Sequence, residues 1–148
     1  MPEPRPLGPT KPLTRFITDD KEGWRLMQYQ LQGGYDGLER ALGMEPAQVL
    51  DILKASNLRG RGGAGFPTGL KWSFVPQGDG SPSPKYMIVN ADEMEPGAFK
   101  DRMLLEQTPH QIIEGLIVGG YTLQADVGYV FIRGDYYTAN KHITNICL

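Results

Sequence analysis

Residues 58–74 read LRGRGGAGFPTGLKWSF, and the rest of the chain is arranged around this stretch. Five glycines, Gly60, Gly62, Gly63, Gly65 and Gly69, fall within ten residues. A segment poor in Cβ atoms reaches positive φ and lets its backbone lie directly against a ligand. Successive exposed N–H groups in such a loop form a concave site for an anion. Arg61 and Lys71 add positive charge, while Phe66, Trp72 and Phe74 add flat apolar surface. Donors suited to phosphate beside aromatic walls fit a nucleotide or a flavin nucleotide. The competing reading is a flexible surface turn, but binding residues concentrate on loops held by a scaffold, which favours the ligand.

The residues before the loop exclude two common phosphate sites. Glu45-Pro46 starts a helix, with proline where its missing N–H costs little, and Val49, Leu50, Ile52 and Leu53 give that helix an apolar face ending near Asn57. A loop that follows a helix is not the dinucleotide fingerprint, which needs strand, then Gly-x-Gly-x-x-Gly, then helix. No Gly-Lys-Ser/Thr closes it as a Walker A loop. A short helix is expected after Pro67, with Thr68 as its cap. Upstream, residues 20–43 hold two helical runs, from Trp24 to Leu31 and from Tyr35 to Leu42, separated by Gly33-Gly34. Residues 1–13 are proline-rich and read as an extended arm.

Downstream, GDGSPSP (residues 78–84) is a loop, and Tyr86–Asn90 reads as a short buried strand. Polar residues 91–101 follow, and a turn or two of helix is expected over Phe99–Gln107. Thr108-Pro109 starts a helix carrying Ile112, Ile113, Leu116, Ile117, Tyr121 and Leu123, in which Gly119-Gly120 permits close packing on a sheet. Val127–Ile132 is a second strand. Strand, helix, strand predicts a parallel crossover. Ligands in such sheets sit beyond the carboxyl ends of the strands, which places Asn90–Lys100 and Arg133–Tyr137 at the expected ligand face.

Asn90-Ala-Asp-Glu-Met-Glu-Pro-Gly97 is therefore the second candidate. Asp92, Glu93 and Glu95 crowd one strand end. Carboxylates there can accept hydrogen bonds from ribose hydroxyls, a nicotinamide amide or flavin ring N–H groups, and they repel an added phosphate. The alternative is a solvated acidic loop. Phe66 and Phe74 could stack on rings or simply pack the short helix. Lys71 and Lys100 could meet phosphate or only water. Arg102 and Glu106, four apart, read as a surface pair. His110 is expected to face solvent in a first helical turn, and His142 and Cys147 show no partner spacing.

Composition narrows the remaining classes. The chain has 148 residues, 40% hydrophobic and 22% charged, with net charge −2. No global basic field points to nucleic acid. The run Arg59–Gly63 resembles an RNA-binding RGG segment in one copy only. Cys147 is the one cysteine, so this chain alone builds no disulfide and no multi-cysteine metal or iron–sulfur site. No stretch reaches the roughly 18 apolar residues of a membrane span, so no direct membrane insertion is expected.

Taken together, LRGRGGAGFPTGLKW, YMIVNADEMEPGAFKDR, PHQIIEGLIVGGY and GYVFIRGDY, in this order over roughly residues 14–136, resemble the NADH-binding FMN flavoprotein subunit of respiratory complex I, NADH–quinone oxidoreductase. The resemblance implies a subunit that holds FMN and accepts a hydride from NADH. It implies FMN contacts at Gly60, Gly62, Lys71, Asn90, Asp92 and Glu93, and NADH contacts at Gly63, Phe66, Phe74 and Glu95. Arg61 and Gly65 belong to the same loop. It also implies partner subunits in the hydrophilic arm of complex I and a place on the cytoplasmic side of a membrane, the matrix side in a eukaryote. Related subunits serve soluble NAD-linked hydrogenases and formate dehydrogenases.

The family continues with a further FMN-contacting loop, a ubiquitin-like segment and a four-cysteine motif holding a 4Fe–4S cluster, and these are absent from this chain. The expected organisation is an arm (1–13), a helical segment (14–57), the first part of an α/β nucleotide-binding domain built on a parallel sheet (58–136) and an atypical tail (137–148). The sequence reads as an N-terminal fragment, and a non-catalytic remnant with a partial nucleotide pocket stands as the rival reading.

Overall fold

The computed structural model describes residues 11–17 and 22–148. Most of the proline-rich arm, and residues 20 and 21 of the first helical run, lie outside the described residues. The elements are α1 (Leu26–Leu31), α2 (Asp36–Leu42), α3 (Pro46–Ala55), α4 (Thr68–Ser73), β1 (Tyr86–Ala91), α5 (Lys100–Gln107), α6 (Pro109–Leu123), β2 (Val127–Ile132) and α7 (Tyr137–Cys147). The fold is mixed α/β: helices lead, then β1 and β2 pair in parallel, with Tyr86 opposite Val127 and Ala91 opposite Ile132.

Local signals account for the starts of α3 and α6, where Pro46 and Pro109 take the first helical position. Pro46 opens α3, and the Glu45 N–H donates to Gln48 Oε1 at 2.9 Å as half of a capping box. Thr68 is not a cap. Pro67 takes that position, α4 has no side-chain cap, and the Thr68 N–H donates to the Leu58 carbonyl at 2.8 Å. Thr68 already has helical geometry one position inside the cap, and its N–H closes the neck of the glycine loop.

The core lies on one face of the sheet, where Ala91, Leu105, Ile113, Tyr136, Ala139 and Ile143 meet. Gly119 sets how closely α6 approaches β1: a Cβ there would fall 2.3 Å from the Met87 methyl. The stretch expected as an atypical tail forms α7 over Tyr137–Cys147, which contributes Ala139 and Ile143 to this core. The expectation of a buried β1 needs correction. The strand alternates, with Met87 and Val89 half-buried while Tyr86 and Ile88 are exposed. Tyr129 and Phe131 of β2 are exposed too. Side chains alternate between faces along a strand, and among the described residues helices cover one face only.

The helical N-terminal segment is tied to α6 by Glu114. Its carboxylate accepts from the Tyr29 hydroxyl and from the N–H groups of Tyr35 (3.0 Å) and Leu38 (3.1 Å), which satisfies the start of α2 from a distant helix. His110 does not face solvent. It is 6% exposed, its Nδ1 lies 2.9 Å from the Tyr35 hydroxyl, and burial holds its pKa below the usual histidine value. The packing of α2 across the first turn of α6 covers it. His142 also has partners: it stacks on Trp24 with centroids 4.7 Å apart, and its Nδ1 lies 3.1 Å from the Glu106 carbonyl.

Candidate functional site

The glycine loop is a narrow hairpin with an open tip. Its neck is closed by Thr68 N–H to Leu58 carbonyl and by Gly60 N–H to Phe66 carbonyl at 2.9 Å. The Arg59 guanidinium donates to the Gly65 carbonyl at 3.2 Å. Beyond the neck, no N–H of residues 61–65 donates to another described residue. Gly63 (φ +121°) and Gly65 (φ +61°) occupy backbone conformations that L side chains rarely adopt. A Cβ on Gly62 would meet no protein atom within 4 Å, so the space beside it is open. Gly69 is a different case. A Cβ there would sit 2.7 Å from the backbone of Lys54, so this glycine locks α4 onto α3.

The acidic segment leaves the carboxyl end of β1. Asn90 Oδ1 accepts the Asp92 N–H at 3.1 Å and turns the chain. Glu93 points inward. Burial by itself pushes its carboxyl pKa up, but the N–H groups of Asp101 and Arg102, the Tyr136 hydroxyl and the Lys100 charge outweigh that and hold it below the usual carboxylate value.

The two segments share one cleft of about 450 Å³. Arg61 and Gly62 line it from the loop, and Asn90, Asp92, Glu93 and Glu95 line it from the strand end. Lys100 stands at the same cleft and pairs with Asp101 at 2.6 Å. Six of the twelve residues singled out in the sequence thus meet. Gly60 belongs to the neck of the hairpin, and Gly63 and Gly65 to its tip. Lys71, on α4, lies outside the cleft lining. Phe66 and Phe74 are exposed beside each other, with ring centroids 6.3 Å apart, and neither lines the cleft. Arg102 pairs with Glu106 at 3.0 Å on the surface, as the spacing suggested.

Arg133–Tyr137 do not line the cleft, contrary to the expectation from strand ends. Arg133 and Tyr136 stand behind it instead, with the Arg133 guanidinium donating to the Glu93 carbonyl at 2.8 Å. Met94 and Ala98, within the expected Asn90–Lys100 face, line the cleft too, and Asp101 joins them just beyond that range. Among the described residues no cluster of His, Cys, Asp and Glu could hold a metal ion, and no helix is long and apolar enough to cross a membrane.

The cleft therefore combines free amide N–H groups and two cations with a carboxylate-rich rim. The chain is similar to several known proteins. The chain is 55% identical over 134 residues to the F 2 subunit of NADH-quinone oxidoreductase from Rhizobium meliloti (strain 1021), covering 90% of this chain and 31% of that protein. It is 47% identical over 135 residues to the F subunit of the same enzyme from Salmonella typhimurium (strain LT2), covering 90% of this chain and 30% of that one. The chain thus spans about a third of the length of these relatives. An air-oxidised NAD+-reducing NiFe hydrogenase superposes with TM-score 0.61 at 38% identity, over 68% of this chain and 17% of that one. Residues 53–147, the loop, the acidic rim and α7 included, match the model of the Nuo51 FMN-binding domain, and the chain belongs to that family.

Proposed function

We propose that this chain forms the nucleotide-facing part of a flavoprotein subunit that binds FMN and takes a hydride from NADH. The observation that carries the reading is the single cleft shared by the free amides near Gly62 and the carboxylates near Asp92. The donor set fits FMN: amide N–H groups with Arg61 suit a phosphate, and carboxylate and amide oxygens suit ribityl hydroxyls and ring N–H groups. Gly60, Gly62, Lys71, Asn90, Asp92 and Glu93 are assigned to the FMN side. Gly63, Phe66, Phe74 and Glu95 are assigned to the NADH side, where the two phenylalanines offer rings for adenine to stack on. When bound, FMN supplies the hydride-accepting ring, and no side-chain acid or base is needed for that transfer. The protein's part is to hold two ring systems in register and to keep competing ligands out. The acidic rim disfavours a dinucleotide with an extra phosphate, because like charges at close range repel.

In the whole protein this unit would pass electrons through iron–sulfur groups toward a quinone, docked on partner subunits at the periphery of a membrane. The likeness to the NAD+-reducing hydrogenase supports a second setting, the NAD-linked electron-exchange subunit of a soluble hydrogenase. The cleft serves equally in both. The test is a flavin titration of the whole subunit with NADH:ferricyanide assays. Stoichiometric FMN and NADH-dependent ferricyanide reduction are expected. A subunit that binds neither nucleotide is the remnant with a partial pocket, and the reading is then lost.

A further inference from the structure

The acidic rim is fastened by residues beside the cleft and, from behind it, by Tyr136 and Arg133, which do not reach the cleft. The Glu93 side chain is only 2% exposed. Its Oε1 accepts the Asp101 N–H at 3.2 Å, and its Oε2 accepts the Arg102 N–H at 3.3 Å and the Tyr136 hydroxyl at 3.1 Å. The Lys100 ammonium stands 3.7 Å from Oε1. The Glu93 carbonyl takes the Arg133 guanidinium at 2.8 Å, and Arg133 Nε is paired with Asp135 at 2.6 Å. Tyr136 is buried in the core, with the guanidinium carbons of Arg102 and Arg133 at 5.5 and 5.9 Å from its ring centroid. A carboxylate holding three protein donors joins its own loop to the start of α5 and to the turn between β2 and α7.

We propose that Tyr136 and Arg133 are positioning residues of the nucleotide cleft, acting through Glu93, whose carboxylate sets the shape of the acidic rim. The proposal rests on the FMN reading above. Glu93 meets Lys100, Asp101 and Arg102 from α5, and Arg133 and Tyr136 from the β2–α7 turn, where Asp135 pairs with Arg133. On its own loop Asp92 and Glu95 stand nearby. Tyr136 and Arg133 both stabilise the ionised rim from the side opposite the ligand. The arrangement also makes the start of α7 part of the binding machinery, although none of it touches the cleft.

The test uses the whole flavoprotein subunit with FMN as the probe. Tyr136→Phe keeps the ring and both cation contacts and deletes one donor. FMN affinity is expected to fall about fivefold, the scale of one hydrogen bond. The acid limb of FMN binding moves to higher pH, because a carboxylate short of a donor protonates sooner. Tyr136→Phe with Glu93→Gln is expected to bind FMN no more weakly than Glu93→Gln alone. Arg133→Lys, read alongside should Tyr136→Phe fold poorly, is expected to weaken FMN in the same direction. Additive losses in the double variant, or unchanged affinity and acid limb in Tyr136→Phe, overturn the inference. Failure of the unsubstituted subunit to bind FMN is a different result and sinks the function itself.

Discussion

Each glycine of the loop answers to a separate physical demand. Gly63 and Gly65 are required by their backbone angles, and Gly69 by the backbone of Lys54. Gly62 is required by neither, because its φ lies outside the left-handed region and its missing Cβ faces open space. On the proposed function, a ligand lies against this stretch of backbone and gives that position its reason to be glycine. Gly62→Val is therefore expected to leave stability within about 0.5 kcal/mol, as for an exposed substitution. FMN affinity should fall at least about tenfold, near 1.4 kcal/mol. Urea unfolding and a flavin fluorescence titration on the same preparation separate the two effects. A parallel loss of both would make Gly62 a folding residue.

At the scale of elements, α4 carries Lys71 and Phe74 but is too short to hold itself in place. Its position depends on contact with α3 through Gly69. Gly69→Ala pushes a methyl into the Lys54 backbone and is expected to cost about 1–3 kcal/mol, the range for overpacking. Denaturant midpoints measure the loss, and NADH affinity should weaken with it because Phe74 shifts. The β1–β2 sheet raises a separate issue. Tyr86, Ile88, Tyr129 and Phe131 lie on one exposed face, Phe131 at 58% exposure. Contiguous exposed apolar surface favours association. The chain by itself is expected to self-associate, and Phe131→Lys to shift sedimentation toward the monomer. A monomeric unsubstituted chain at high concentration would contradict this.

At the scale of the molecule, two buried groups set the response to acid. His110 has its pKa lowered by burial from 6.5, so the folded state resists its protonation. Its contribution to stability is complete above pH 6.5 and is lost as pH falls from there toward its folded value. Glu93 has its pKa lowered from 4.5 by its donors, despite burial. Its contribution is complete above 4.5 and is lost as pH falls through the folded value. Unfolding free energy should therefore decline in two stages on acidification. His110→Gln should flatten the first stage and leave the second, as read from denaturant midpoints across pH. A single acid stage in the unsubstituted chain would remove His110 from this account.

The order of elements from α1 to β2, the parallel pairing and the two candidate segments were legible in the sequence, because they rest on short-range signals, whereas α7, read as an atypical tail, was not. Pro46, Thr108-Pro109 and the apolar run Val127–Ile132 act within a few residues of themselves. The strand–helix–strand order placed the acidic rim at the carboxyl end of β1, but that the glycine loop meets it there was implied only by the family resemblance. The partners of His110, Glu114, Glu93 and Tyr136 were decided by tertiary structure alone. Those contacts join residues far apart along the chain, such as Glu93 to Tyr136 and His110 to Tyr35, and nothing local marks them. Periodicity shows which side of an element is buried, but only the packed chain determines which distant donor reaches a buried carboxylate.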